Sequence, residues 1–132
     1  MKLRNAILPA ALALCLPSLA LAARGFQASD MVSMDRFSSP VLSPDGRKVV
    51  FAKRTVDMAA NKATSGLWIE DLSTRDAAPP KRLTPEGWNV NSPAFSADGN
   101  SVYFLSGKNG TSQLYAIPVA GGDPVQLTDF AL

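Results

Sequence analysis

The chain has 132 residues, room for one ordinary domain, and its 46% hydrophobic and 18% charged content is that of a folded chain, not a disordered one. A formal charge of only +2 gives no electrostatic case for nucleic acid. The absence of histidine removes Ser-His-Asp and Cys-His catalysis, and the usual zinc sites, from these residues.

Residues 1–22 read as a secretory signal peptide: Lys2 and Arg4 give a basic start, Ala6 to Ala22 is almost wholly small or apolar, and Ala20, Leu21 and Ala22 form an A-x-A site with cleavage expected between Ala22 and Ala23. The apolar run contains Pro9 and Pro17 and is at or below the ~20 residues a spanning helix needs, so no stable membrane anchor is expected. The single cysteine, Cys15, follows Leu14, whereas a lipidation site would have a small residue there. Without Lys2 and Arg4, eleven basic residues face eleven acidic ones, and the near-neutral, cysteine-free remainder suits an exported compartment, periplasmic or secreted, without disulfides.

Residues 23–38 read as a linker with a short helix capped by Ser29 or Asp30, running through Met31 to Asp35. Pro40 to Ser43 suits a short buried strand with proline as its first residue. In Pro44-Asp45-Gly46, Pro presets φ, Asp bonds the backbone ahead of it and Gly supplies φ > 0, which is a turn. A strand is expected over Arg47–Arg54, a long hairpin loop over Thr55–Gly66, a third strand over Leu67–Leu72, a connection over Ser73–Pro80 and a fourth strand over Lys81–Thr84.

The same order then returns. Ser39-Pro40-Val41-Leu42-Ser43-Pro44-Asp45-Gly46 is matched by Ser92-Pro93-Ala94-Phe95-Ser96-Ala97-Asp98-Gly99. Strands are expected over Ala94–Ser96, Ser101–Ser106, Gln113–Val119 and Pro124–Thr128, with turns at Asp98-Gly99, Gly107–Thr111 and Ala120–Asp123. Phe51 corresponds to Phe104, Leu67-Trp68 to Leu114-Tyr115, and Leu83-Thr84 to Leu127-Thr128, with offsets of 53, 47 and 44 residues, so all length variation falls in two loops. Four short antiparallel strands per repeat is the layout of a β-propeller blade. The expected fold is all-β: blade 1 over residues 39–84 and blade 2 over residues 92–128, an incomplete ring, since a ring needs roughly four to eight blades.

Candidate chemistry is sparse. No G-x-S-x-G elbow, phosphate loop or dinucleotide fingerprint occurs, and no cofactor or metal is expected. Asp45, Gly46, Asp98 and Gly99 are read as turn residues, not ligands. Trp68 and Tyr115, at matching strand positions, are read as packing between blades. Trp88, Asn89 and Asn91, between the blades, are the one candidate contact loop, although packing is the commoner role for such residues.

The stretch DMVSMDRFSSPVLSPDGRKVVFAKR (Asp30–Arg54), with TVDMAANKATSGLW (Thr55–Trp68) and GGDPVQLTDF (Gly121–Phe130), resembles the propeller entry of the prolyl oligopeptidase family of serine peptidases, in the bacterial dipeptidyl aminopeptidase and acylaminoacyl-peptidase branch. The S-P-D-G element alone is shared with non-catalytic TolB-type periplasmic propellers that bind proteins, which is the alternative reading. The resemblance implies a propeller of about seven blades over a C-terminal α/β-hydrolase domain that carries the catalytic triad and cleaves short peptides. The partners implied are that hydrolase domain, the further blades and the peptide substrates. No triad residue of that family has a counterpart here.

Overall fold

The computed structural model describes residues 24–74, 76 and 78–131; the expected signal peptide, its Ala22/Ala23 junction and Cys15 lie outside them. Among the described residues one short helix, α1 (Ala28–Ser33), precedes eight strands: β1 (Arg36–Leu42), β2 (Lys48–Asp57), β3 (Lys62–Asp71), β4 (Lys81–Arg82), β5 (Val90–Phe95), β6 (Ser101–Ser106), β7 (Gln113–Pro118) and β8 (Val125–Gln126). They form two four-stranded antiparallel sheets with strands in sequence order, and no closed barrel.

Several expected boundaries move, each for a local reason. The helix begins at Ala28 after Gln27, so Ser29 and Asp30 are inside it. Asp30 acts from the first turn, its carboxylate accepting the free Gln27 N–H at 2.9 Å and gripping Arg24 at 2.6 Å. The first sheet starts at Arg36, within the expected linker, and the second starts at Val90.

The expected loop Thr55–Gly66 is mostly strand. β2 and β3 stay in unbroken register from Lys48↔Asp71 out to Asp57↔Lys62, leaving only Met58–Asn61 as the turn. Asn61 takes a left-handed φ of 48°, which asparagine tolerates, and the Asp57 carboxylate accepts the Ala60 N–H at 2.9 Å.

The repeated Ser-Pro is a bulge, not a strand start. Pairing runs from Ser38↔Ala52 directly to Val41↔Val50, so Ser39 and Pro40 together oppose Phe51 alone. In the second sheet Asn91↔Leu105 is followed by Ala94↔Tyr103, so Ser92 and Pro93 oppose Phe104. Ser39 and Ser92 sit at φ 52° and 51°, a matching pair of left-handed non-glycine residues. A bulge leaves one residue out of the ladder, which is where a proline without an N–H does no harm.

The Asp-Gly turns are copies of one another. Ser43 Oγ donates to Asp45 Oδ1 at 2.6 Å and accepts the Lys48 N–H at 2.9 Å; Ser96 Oγ does the same with Asp98 and Ser101 at 2.6 and 2.9 Å. Gly46 and Gly99 follow at φ 70° and 71°, where any side chain would be strained.

The core lies between the sheets. Sheet 1 contributes Val50, Ala52, Leu67 and Ile69, one face of β2 and β3 in cross-strand pairs. Sheet 2 meets it with Val90, Val102, Phe104, Tyr115 and Ile117. β5 is the strand of sheet 2 that lies against sheet 1. In the repeat, Phe104 corresponds to Phe51 and not to Val50, so the sheets pack front to back: the same two faces never meet.

Candidate functional site

The connection between the sheets, from Leu83 to Val90, holds the polar and aromatic groups that could do more than pack. Two hydroxyls fix its course. Thr84 Oγ1 accepts the Leu67 N–H at 3.0 Å, and Ser65 Oγ both donates to the Val90 carbonyl and accepts the Val90 N–H, each at 2.9 Å. A serine hydroxyl thereby stands in for a pair of ladder bonds between β3 and the first residue of β5. Arg82 Nε donates to the Thr84 carbonyl at 2.9 Å, its guanidinium lying over Gly66 where a Cβ would come within 2.8 Å of it.

Of the expected contact loop, Trp88 is 9% exposed. Its indole meets Tyr115 edge-on at 5.1 Å and Phe104 at 6.3 Å, while Phe104 and Tyr115 stack at 5.7 Å. Lys108 Nζ lies 4.0 Å from the centre of the Trp88 ring, a cation–π contact. Asn89 Oδ1 accepts the Ser65 N–H at 3.3 Å, and Asn91 is exposed on β5. Beside this cluster an open hollow of about 470 Å³ is lined by Pro85, Trp88, Lys108, Asn109, Tyr115 and Asp123 among others. Sequence reasoning did not single out Lys108, and no local pattern marks it, because it reaches Trp88 from the β6–β7 turn.

Trp68 and Tyr115 occupy equivalent places, opposite Phe51 and Phe104 respectively, yet only Tyr115 lies in the core. Trp68 lies on the outer face of sheet 1 with Lys53 Nζ 4.9 Å from its ring centre. Lys53 is paired with Asp35 at 2.6 Å, and Phe37 meets Phe51 edge-on at 5.5 Å on the same face. Pro40, Phe37, Phe51, Glu70 and Pro80 line a shallow hollow of about 430 Å³ there.

A second polar anchor holds the segment after β8. The buried Gln113 accepts the Thr128 hydroxyl at 2.8 Å and the Phe130 N–H at 3.0 Å, and donates to the Phe130 carbonyl at 2.8 Å. Thr128 Oγ1 accepts the Leu114 N–H at 2.9 Å, repeating what Thr84 does in the first sheet.

Chemically, these arrangements hold backbone and bind aromatic rings. Among the described residues no three His, Cys, Asp or Glu side chains converge as metal ligands would. The perturbed acids belong to turns and pairs. Ser43 and then the Arg47 N–H hold the Asp45 carboxyl below its ordinary 3.8, and Ser96 and then Asn100 do so for Asp98. Arg24, Lys53 and Ser73 lower Asp30, Asp35 and Asp71 in the same direction.

Folded values below the unfolded ones mean that the stabilisation is complete above the unfolded carboxylate range. It is lost as pH falls through the lower, folded values. The urea midpoint is therefore expected to be level from about pH 7 to 5 and to drop below about pH 4. Asp98→Asn is expected to make that drop shallower. A midpoint at pH 3 equal to that at pH 7 would contradict this assignment.

No protein-family model matches the chain. It is 30% identical over 107 residues to a Bacillus subtilis protein named Uncharacterized peptidase YuxL, covering 77% of this chain and 15% of that protein. It is 36% identical over 83 residues to dipeptidyl-peptidase 5 of Porphyromonas gingivalis, covering 63% and 12%. The chain thus spans about a seventh or less of the length of these curated relatives. Among solved structures, the AtxE2 isopeptidase matches with a TM-score of 0.59 in a variant with Astexin3-dC4 bound, at 20% identity over 74% of this chain and 19% of that one. The same isopeptidase in its apo form matches with a TM-score of 0.58, covering 77% of this chain and 20% of that one. In sequence the chain is similar to proteins named as peptidases, and its pair of four-stranded sheets has the fold of a corresponding part of the isopeptidase.

Proposed function

We propose that this chain is the opening part of the β-propeller of an exported serine peptidase of the prolyl oligopeptidase family, in the dipeptidyl aminopeptidase and acylaminoacyl-peptidase branch. Each sheet is one blade. Its role is to build the wall that limits access of peptides to a hydrolase domain carried elsewhere in a longer product. The substrates are short peptides, the attacking serine belongs to that other domain, and residues 1–22 direct export.

The observation that carries this reading is the front-to-back packing of two repeat-equivalent sheets, which leaves an apolar face open at each end. Stacked units of this kind bury their outer faces against further units of the same type. The peptidase-named relatives, several times longer than the chain, support a peptidase as the protein that such units serve. Front-to-back order also suits a wall, which needs rigid blades and no chemistry of its own.

Reading downstream in the same frame tests this. Further blades followed by G-x-S-x-G, then Asp, then His are expected. A stop codon after the ring, with no hydrolase, would favour instead a TolB-type propeller that binds proteins without cleaving them.

A further inference from the structure

The rung Arg36↔Arg54, where β1 meets β2, breaks a rule that sheets ordinarily keep. Residues directly opposite one another share a face of the sheet, and like charges placed so repel. Among the described residues neither guanidinium has a carboxylate partner, whereas Arg24, Lys53 and Arg82 are paired with Asp30, Asp35 and Glu86. Strand pairing does not require the two arginines either. In the repeat their counterparts are Asn89 and Gly107, and sheet 2 ends one rung earlier, at Val90↔Ser106. A local conflict that the fold neither needs nor relieves is the kind found at functional sites, where a ligand relieves it.

Arg54 follows Val50 and Ala52 on the seam face of β2, opposite Ser65, which holds the first residue of β5. The two arginines thus stand just past the end of the seam and on neither outer face. There an open hollow of about 360 Å³ is lined by both of them, by Lys62 from the β2–β3 hairpin, and by Val32 of α1, Val56 and Ala63 among others. Asp57, opposite Lys62 in register, accepts the Ala60 N–H and does not line the hollow.

We propose that this hollow binds the C-terminal end of a short peptide, its carboxylate lying between Arg36 and Arg54 and its last side chain, small and aliphatic, against Val32, Val56 and Ala63. A guanidinium presents a flat fork of N–H donors that matches a carboxylate. An anion between the two arginines replaces their repulsion with two attractions. The apolar half of the lining favours a peptide end over a bare anion such as phosphate, which would leave those side chains uncovered. The site rests on these residues and not on the peptidase reading, so either can fail alone.

Calorimetric titration of the full-length product that carries this chain tests it, with a serine-directed phosphonate present to close any hydrolase site. The probes are N-acetyl-Ala-Val with a free carboxylate, the same dipeptide as its amide, and inorganic phosphate. The acid is expected to bind, and the amide and phosphate to bind about tenfold more weakly or worse. Arg54→Gln is expected to weaken binding of the acid by about tenfold or more. Its thermal midpoint should stay level with the wild type or rise, because a like-charge pair is gone; a purely structural arginine would lower it. Arg47→Gln, beside the other end of β2 and also exposed, removes the same charge and is expected to change neither reading. Failure of the acid to bind would overturn the proposal, as would amide or phosphate binding as tightly as the acid, or equal losses in the two variants. Should Arg54→Gln lose the wild-type circular dichroism spectrum, Arg36→Gln on the same rung decides in its place.

Discussion

Phe104→Ala is expected to lower the stability of the chain by about 3–5 kcal/mol, the range for truncating a fully buried phenylalanine. Phe104 is 0% exposed, stacks on Tyr115 at 5.7 Å and lies 6.3 Å from Trp88. Both rings would lose their shared neighbour, and the seam between the sheets would hold a cavity that neither sheet can collapse into. A small domain is stable by only about 5–15 kcal/mol, so a loss of this size should lower the urea midpoint by a large fraction of its value. Phe51→Ala at the equivalent position is expected to cost distinctly less, since Phe51 lies on the outer face and is only half-buried. Equal losses at the two positions would mean that the front-to-back packing is wrong.

Ser65→Ala is the second large effect. It removes the one hydroxyl that serves both the N–H and the carbonyl of Val90, a residue only 2% exposed. Leaving buried backbone groups without partners costs about 1–3 kcal/mol. The damage is also positional, because Val90 opens β5, the strand that lies against sheet 1. Ser112 is the repeat counterpart of Ser65 and is exposed, so Ser112→Ala is expected to stay within about 0.5 kcal/mol. Paired urea titrations of the two variants check this. A loss at Ser112 as large as that at Ser65 would contradict the role given to Ser65.

The contrast between these two serines shows where sequence reading succeeds and where it stops. The Asp45-Gly46 and Asp98-Gly99 turns were legible because their chemistry is local: a carboxylate accepting an N–H two residues on, then a glycine at φ near 70°. β6 was legible to the residue because its buried and open positions alternate over Ser101–Ser106.

The outer half of the β2–β3 hairpin was not legible. It carries Thr, Ala, Ser and Lys, and beyond the seam it has no buried face to impose an alternation. The Ser39-Pro40 bulge reads in sequence as a strand start, since proline is ordinarily excluded from a paired strand and nothing in one copy reveals the extra residue. In the candidate loop, Trp88 and Asn89 are simply neighbours in a connection when read along the chain. Anchors distant in sequence, Thr84 on Leu67 and Ser65 on Val90, hold the connection so that Trp88 faces Phe104 and Tyr115.

On the proposed function, these two sheets belong to a peptidase whose nucleophile lies outside this chain. A serine-directed phosphonate probe applied to extracts of the source cells, followed by detection with an antibody to residues 24–131, tests it most directly. The alignment that covers 77% of this chain covers 15% of its relative, so the antibody is expected to mark a band about five times the chain's length, and the probe to label that band. The 132-residue chain expressed alone should take no label. A labelled 132-residue chain, or a long product that carries the antibody signal and no label, would contradict the account.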